Sequence, residues 1–176
     1  MTRKLHIGGQ VRVEGWEVLN ANDAPYVDHV CNAKDLSQFE SNSFYQIYAS
    51  HVVEHFDYKD ELVVVLKEWQ RVLAPGGSVY ISVPDMDILA ELFLAKDQLS
   101  PQDRYDVMRL MFGGHIDKFD YHLVGLNAEF LAIFLNEAGF TNIGKVDEFD
   151  LFEDASSMKF AGVPISLNVI ADKPTS

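Results

Sequence analysis

The chain has 176 residues, 48% hydrophobic, 12% aromatic and 23% charged, the make-up of one ordinary globular domain. Collagen, coiled coil and low-complexity disorder are excluded on composition alone. Fourteen Lys and Arg stand against 27 Asp and Glu, for a formal charge of −13. Nucleic acid, whose binding rests on basic residues displacing phosphate counterions, is therefore not an expected partner.

Cys31 is the single cysteine, so an internal disulfide and a thiolate-rich metal site are excluded, and a reducing, cytoplasmic compartment is expected. The opening Met1-Thr-Arg-Lys-Leu-His-Ile-Gly lacks a signal-peptide core. The longest apolar run, residues 130–135, falls far short of the roughly 20 residues that span a bilayer. No membrane partner is expected. The oligomeric state is not legible, and one domain over residues 1–176 is the default.

Residues 4–7 and 16–19 read as two strands around the turn-rich Gly8 to Gly15. A parallel crossover with its own helix needs a dozen or more residues, so this first crossover is expected to be shortened to one turn or to lack its helix. Residues 26–31 and 44–49 read as further strands. Over residues 58–73 the apolar Leu62, Val65, Leu66, Trp69, Val72 and Leu73 recur at three and four. This is an amphipathic helix, stopped by Ala74-Pro75-Gly76-Gly77. A buried strand follows at 79–83 and a helix at 85–95.

Ser100-Pro101-Gln102-Asp103 then offers an N-cap, a first-turn proline and an acid at the third position. The stripe Tyr105, Met108, Met111 and Phe112 on that helix reads as core. Asn127 caps another helix with Phe130, Leu131, Phe134, Leu135 and Ala138 on one face and Gly139 as its stop. Residues 143–149 and 164–171 are the terminal strands. The five carboxylates of residues 147–154 read as solvated surface. Alternating strands and helices define an α/β fold with an open, mostly parallel sheet, whose ligands sit beyond the carboxyl ends of the strands.

Several motifs occur in a fixed order. They are Leu5-His6-Ile7-Gly8-Gly9, Gly15-Trp16, Ser43-Phe44, Ile47-Tyr48-Ala49-Ser50-His51-Val52-Val53-Glu54-His55, Glu68-Trp69, Arg71 to Gly77, and Val83-Pro84-Asp85. Downstream come Asp103-Arg104-Tyr105, Phe112-Gly113-Gly114, His122, Gly125, Glu137 to Phe140 and Ser166 to Lys173. This ordered set resembles the class I S-adenosylmethionine-dependent methyltransferases, and within them a bacterial type 11-like subgroup.

The resemblance covers nearly the whole chain. It implies a Rossmann-like, mostly parallel seven-stranded sheet with an antiparallel last strand, and S-adenosyl-L-methionine as cofactor. The implied acceptor is a small hydroxyl-bearing molecule, a sugar being one candidate.

The resemblance also implies roles. Gly8 and Gly9 form the turn on which the methionyl group lies, against the plainer reading of a tight turn between strands. Asn20 takes the place of the ribose-binding Asp, Gln10 that of the second family glycine, and Asn32 falls about where an adenine-contacting Asp is common. All three departures strike the cofactor pocket, so the same fold retained as a non-catalytic binding module is the competing expectation. Ala49 and Ser50 border the cofactor, and His51 and His55 follow the fourth strand beside the reacting methyl. The loop holding His115, Asp120 and His122 is expected over the acceptor, against the plainer reading of solvated turn residues. The helical spacing of His51, Glu54 and His55 could serve a metal, but no further ligand adjoins them in sequence and none is expected. A nicotinamide oxidoreductase is disfavoured, since no Gly-x-Gly-x-x-Gly follows the first strand.

Overall fold

The computed structural model describes residues 3–175. Residues 1, 2 and 176 of the expected domain lie outside the described residues. Nine strands form in chain order: β1 Arg3–Ile7, β2 Glu17–Asn20, β3 His29–Val30, β4 Phe44–Ser50, β5 Leu73–Pro84, β6 Thr141–Val146, β7 Lys159–Phe160, β8 Val163–Pro164 and β9 Ser166–Asp172. Four α-helices accompany them, α1 Leu62–Val72, α2 Met86–Leu94, α3 Pro101–Phe112 and α4 Ala128–Glu137. Seven strands make one sheet in the order β3-β2-β1-β4-β5-β9-β6, and β7 with β8 makes a separate hairpin. The pairs β1–β2, β2–β3, β1–β4 and β4–β5 are parallel, while β9 runs antiparallel to both its neighbours. The mostly parallel Rossmann-like sheet with an antiparallel last strand is present as expected.

The two faces of this sheet differ, and the difference is written in period two. On one face Leu5, Ile7, Ile47, Ala49, Val79, Ile81, Leu167, Val169 and Ala171 form an apolar layer under Leu62, Val65, Leu66, Trp69 and Val72 of α1 and Leu131 and Leu135 of α4. Trp69 is fully buried there, and its indole N–H donates to the Ala33 carbonyl at 2.9 Å. On the other face the intervening residues are His6, Gln46, Tyr48, Ser78, Tyr80, Ser82 and Asn168. A parallel sheet covered by helices on both sides reads as near-continuous apolar runs; alternation marks a sheet with one helical layer. The connections that could supply the second layer contain no helix: residues 8–16 and 21–28 are turns and irregular chain, while residues 31–43, likewise without a helix, lie on the α1 face, where Leu36 and Phe39 join the apolar layer. The first crossover is thus shortened as expected, and the next two lack helices as well.

A strap takes over part of the missing layer. Phe149 packs edge-on against Tyr48 and Tyr80, and Phe152 against His6, Trp16 and Tyr48, with centroids 4.2 to 5.7 Å apart. The Tyr48 hydroxyl donates to the Asp154 carboxylate at 2.9 Å. The Asn168 amide donates to the carbonyls of Asp147 and Ser156 at 2.9 and 3.0 Å, clamping both ends of the strap. This corrects the reading of residues 147–154 as solvated surface. Asp147, Glu148, Asp150 and Glu153 are exposed, but Asp154 and both phenylalanines fold inward.

Other expectations shift in detail. Of the strand expected at 26–31 only His29–Val30 pairs, and the strand expected at 143–149 lies two residues earlier, because the chain leaves the sheet to form the strap. Ser100 and Asp103 make the reciprocal cap of α3, and Asn127 accepts from the Phe130 N–H at 2.9 Å to start α4. The α3 stripe is not core, since Tyr105 and Phe112 are exposed and the buried residue is Val107, which packs with Leu89 of α2 and Ile165. Phe130 likewise stays exposed on α4.

Candidate active site

A cleft of about 470 Å³ opens beyond the carboxyl ends of β1, β2 and β4, where the strand order reverses between β1 and β4. It lies in the usual size range for a small-molecule site and at the switch point where open α/β sheets bind ligands. Ile7 and Gly8 form its floor, Asn20 to Asn22 and Asn32 one wall, and Ser50, His51 and His55 the other; Phe152, Glu153 and Asp154 of the strap overhang it.

Gly8 turns the chain off β1 at φ +76°, its N–H donating to the Leu19 carbonyl at 2.8 Å. A Cβ there would lie 2.6 Å from Val52 Cγ2, so glycine is required by both conformation and space. Gly9 is buried beneath, and its carbonyl accepts from the Asn20 amide at 3.1 Å. Asn20 Oδ1 accepts from the Asn22 N–H at 2.9 Å, so this carboxamide uses both its ends to hold β2 to the glycine turn. A carboxylate could not donate to Gly9, which accounts for an amide here in place of the family acid. Gln10 is exposed at the cleft, and its φ is not positive, so no left-handed backbone demands glycine there. Asn32 is exposed on the same wall as Asn20 and accepts from the Lys34 N–H. Ala49 faces the helical layer, and only Ser50 of that pair reaches the cleft.

Beyond Ser50 the chain bends sharply. His51 has φ +53°, an uncommon conformation for a side-chain-bearing residue, and its N–H donates to the Ser82 carbonyl at 2.8 Å. A single 3₁₀ turn, Val53–His55, follows. It points His55 to the cleft and drives Glu54 into the protein, where the residue is 1% exposed. The Glu54 carbonyl accepts from the Leu123 and Val124 N–H groups at 2.8 and 3.3 Å, fastening the loop after α3 across this turn. His122 on that loop stands 5.0 Å from the His55 ring, and its Nε2 is 3.9 Å from Glu54 Oε1.

Burial governs the protonation states. It pushes the Glu54 carboxyl up to about 8. It lowers His51 and His122 to about 4, neighbouring imidazoles adding to the effect. His6, under Phe152, is lowered to about 4 by burial against the opposing pull of Asp154. All three rings are neutral near pH 7.

The structure thus brings Gly8, Gln10, Asn20, Asn32, Ser50, His51 and His55 to one cleft. His115 and Asp120 serve the loop itself. His115 stacks on Tyr121 at 4.1 Å and bonds the Phe112 carbonyl, while Asp120 accepts from the Ile116 N–H. His122 sits behind His55, and Phe119 is the loop residue that reaches the cleft. His6, Phe152, Glu153 and Asp154 were not singled out as site residues by sequence reasoning, and Glu54 was weighed only as part of a metal set that was not expected. For His6 the available signal was a polar residue between the apolar Leu5 and Ile7.

Residues 15–81 match a family model described as methyltransferase domain. A mouse protein named "Probable tRNA methyltransferase 9B" is 35% identical over 86 residues, covering 49% of this chain and 19% of its own. Among solved structures, an S-adenosylmethionine-dependent methyltransferase from Archaeoglobus fulgidus superposes with a TM-score of 0.62 at 16% identity, covering 98% of this chain and 86% of that one. The CurJ carbon methyltransferase gives 0.58 at 18% identity, covering 98% and 48%. The chain therefore spans about a fifth of the mouse relative and under half of the CurJ protein. Residues 15–81 thus carry a methyltransferase-domain match, and the fold is the Rossmann-like fold seen in class I S-adenosylmethionine-dependent methyltransferases. No helix among the described residues is long and apolar enough to cross a membrane.

Proposed function

We propose that the protein binds S-adenosylmethionine in this cleft and methylates a small hydroxyl-bearing acceptor, a sugar being one candidate, in the cytoplasm. The observation that carries the reading is the cleft itself, set at the β1/β4 switch point on a glycine turn whose Cβ would strike Val52. Its chemistry fits the cofactor. Glu153 and Asp154 overhang the cleft, and no Lys or Arg lines it, which suits a ligand carrying a sulfonium and an ammonium and not a dinucleotide pyrophosphate. When bound, the cofactor supplies an already activated methyl group, so the chain's task is chiefly positioning and exclusion of water.

On this reading Gly8 presents the floor of the methionyl site with Gly9 buried beneath it, Asn20 and Asn22 offer amide groups to the ribose, and Asn32 and Ala33 border the adenine. His51 and His55 face the acceptor. His55 Nδ1 donates to the Tyr121 carbonyl at 3.0 Å, which leaves Nε2 with its lone pair toward an acceptor hydroxyl, the disposition a general base needs. The mouse relative's name assigns it tRNA. The charge of −13 and a cleft lining without Lys or Arg argue for a small acceptor here.

A second reading has its own observation. No helix follows β1, so no helix N-terminus faces the methionyl carboxylate. A non-catalytic module on the same fold is then the alternative. Mass spectrometry of the purified protein for bound S-adenosylhomocysteine, with calorimetric titration of both adenosyl compounds, decides between them. Binding with S-adenosylmethionine-dependent methyl transfer supports the enzyme. No heat from either compound refutes it in favour of the module.

A further inference from the structure

We propose that Glu54, His55 and His122, with His51 at their edge, form a binding site for a divalent transition-metal ion. One ligand atom from each of the three lies within 4.8 Å of the others, and a proton count over the cluster shows why a cation is wanted there. His55 Nδ1 bonds the Tyr121 carbonyl at 3.0 Å and His122 Nδ1 the Met111 carbonyl at 3.3 Å. A carbonyl can only accept, so both Nδ1 atoms carry the hydrogen and both Nε2 atoms carry a lone pair. Ser166 Oγ donates to the Ala155 carbonyl at 2.7 Å, so it accepts from His51 Nε2 at 3.1 Å. His51 Nδ1 is then also a lone pair, and it faces Glu54 Oε1 at 3.5 Å.

With Glu54 ionised, three ring nitrogens and a carboxylate therefore converge as acceptors with no donor among them. Neither oxygen of Glu54 has a hydrogen-bond partner, although the residue is 1% exposed. A buried carboxylate in that position is costly unless paired or ligated to a metal. Backbone carbonyls that hold the second nitrogen of each histidine are the usual outer partners of metal-bound imidazole. Two histidines and one carboxylate form a set used by zinc and by iron(II) or manganese(II), with positions left open for another ligand.

Ligand atoms around a four-coordinate ion at about 2.1 Å stand about 3.3 Å apart, so modest side-chain rotations close the trio onto the ion. The third ligand, His122, arrives from the loop after α3, which is why the sequence spacing of His51, Glu54 and His55 alone did not complete a set. Because His51 and His55 line the cleft, the open positions face the same space. Resting on the proposed function, this makes the acceptor one whose oxygen atoms ligate the ion, with His55 Nε2 then a ligand of the ion in place of a free base.

The test uses untagged full-length protein stripped with chelator, titrated calorimetrically with zinc sulfate alone and manganese(II) chloride alone, without any adenosyl compound. The expected result is one ion per chain, with affinity falling at least about 30-fold in His122→Ala and in Glu54→Gln. Glu54→Gln keeps the shape and gives the lone pairs an amide donor, so its thermal midpoint is expected to hold or rise while metal binding is lost. No binding by the parent protein, or unchanged binding in both variants, overturns the site and leaves Glu54 as a protonated buried acid. Titration of metal-free protein with S-adenosylmethionine is read separately. Heat there with none from the metals sinks this inference only; metal binding without adenosyl binding sinks the proposed function only.

Discussion

Replacing Tyr48 by Phe tests whether the strap is held to the sheet by a specific polar contact or merely lies on it. Tyr48 is fully buried at the centre of the polar face, and its hydroxyl donates to both oxygens of Asp154 at 3.0 and 2.9 Å. The ring stays in Phe, so the contacts with His6, Phe149 and Phe152 persist. What is removed is one hydrogen bond to an ionised partner, worth about 1.5 to 3 kcal/mol. Asp154 retains the Ser50 hydroxyl at 3.3 Å and the Ser156 N–H at 2.8 Å, which places the expected loss at the lower end, about 1.5 to 2 kcal/mol.

For a chain of this size that corresponds to roughly 3 to 8 °C in thermal midpoint. Circular dichroism melts and urea titrations of parent and variant measure it, and Trp16 fluorescence reports the strap, because Trp16 packs on Phe152 with centroids 5.1 Å apart. A loss below about 0.5 kcal/mol, the ordinary scatter of harmless substitutions, with unchanged Trp16 emission, would refute the clamp.

Three further outcomes are expected. Trp69→Ala removes a fully buried indole and its bond to Ala33 and should cost about 3 to 5 kcal/mol in chemical denaturation; a midpoint that barely moves contradicts its place in the core. Gly8→Ala forces a side chain into the left-handed region against Val52 and should cost at least about 1 to 2 kcal/mol, together with weakened adenosyl binding by calorimetry. His6 is held at about 4 in the fold against about 6.5 unfolded. The unfolded chain therefore binds the extra proton, and this contribution to stability is lost as pH falls from about 6.5 toward 4. His6→Phe keeps the aromatic stack and removes that dependence, so its advantage over the parent should grow by about 2 kcal/mol between about pH 7 and pH 5; parallel stability curves would show that His6 is not buried neutral.

Fold legibility followed the strength of local signals. The α1 stripe from Leu62 to Val72, the Ser100 and Asn127 caps and the stop at Gly139 are short-range devices, and the elements formed where those devices lie. The α3 stripe misled because Tyr105 and Phe112 satisfy helical spacing equally well on a solvent-facing side. Spacing defines a face and not what covers it. The missing helical layer was legible too, in the alternation of Leu5-His6-Ile7 and Gln46-Ile47-Tyr48-Ala49, and it explains the strap. A polar sheet face with tyrosines and a histidine cannot be left dry and unbonded, so a segment supplying Phe149, Phe152 and Asp154 together covers it better than an apolar helix would.

The site divides in the same way. Gly8, Asn20, Ser50, His51 and His55 reach one cleft because each closes a strand of a parallel sheet, and strand ends converge by topology alone. His122 and Asp154 are different. Each comes from a long loop, and nothing local to either fixes where that loop docks. The Leu123 and Val124 N–H groups on the Glu54 carbonyl fix His122, and the Asn168 amide on Asp147 and Ser156 fixes Asp154. Both anchors are backbone groups or buried amides that become visible only once the sheet exists. It follows that loosening either anchor should alter the site without touching a cleft residue. Asn168→Leu, which keeps the size but removes both donors, leaves the carbonyls of Asp147 and Ser156 without their buried partner, at about 1 to 3 kcal/mol, and frees the strap. Adenosyl affinity should fall at least about threefold while the Glu54, His55 and His122 cluster still binds zinc. Equal losses of both would mean that the strap and the histidine cluster are one cooperative unit, contrary to their separate anchors.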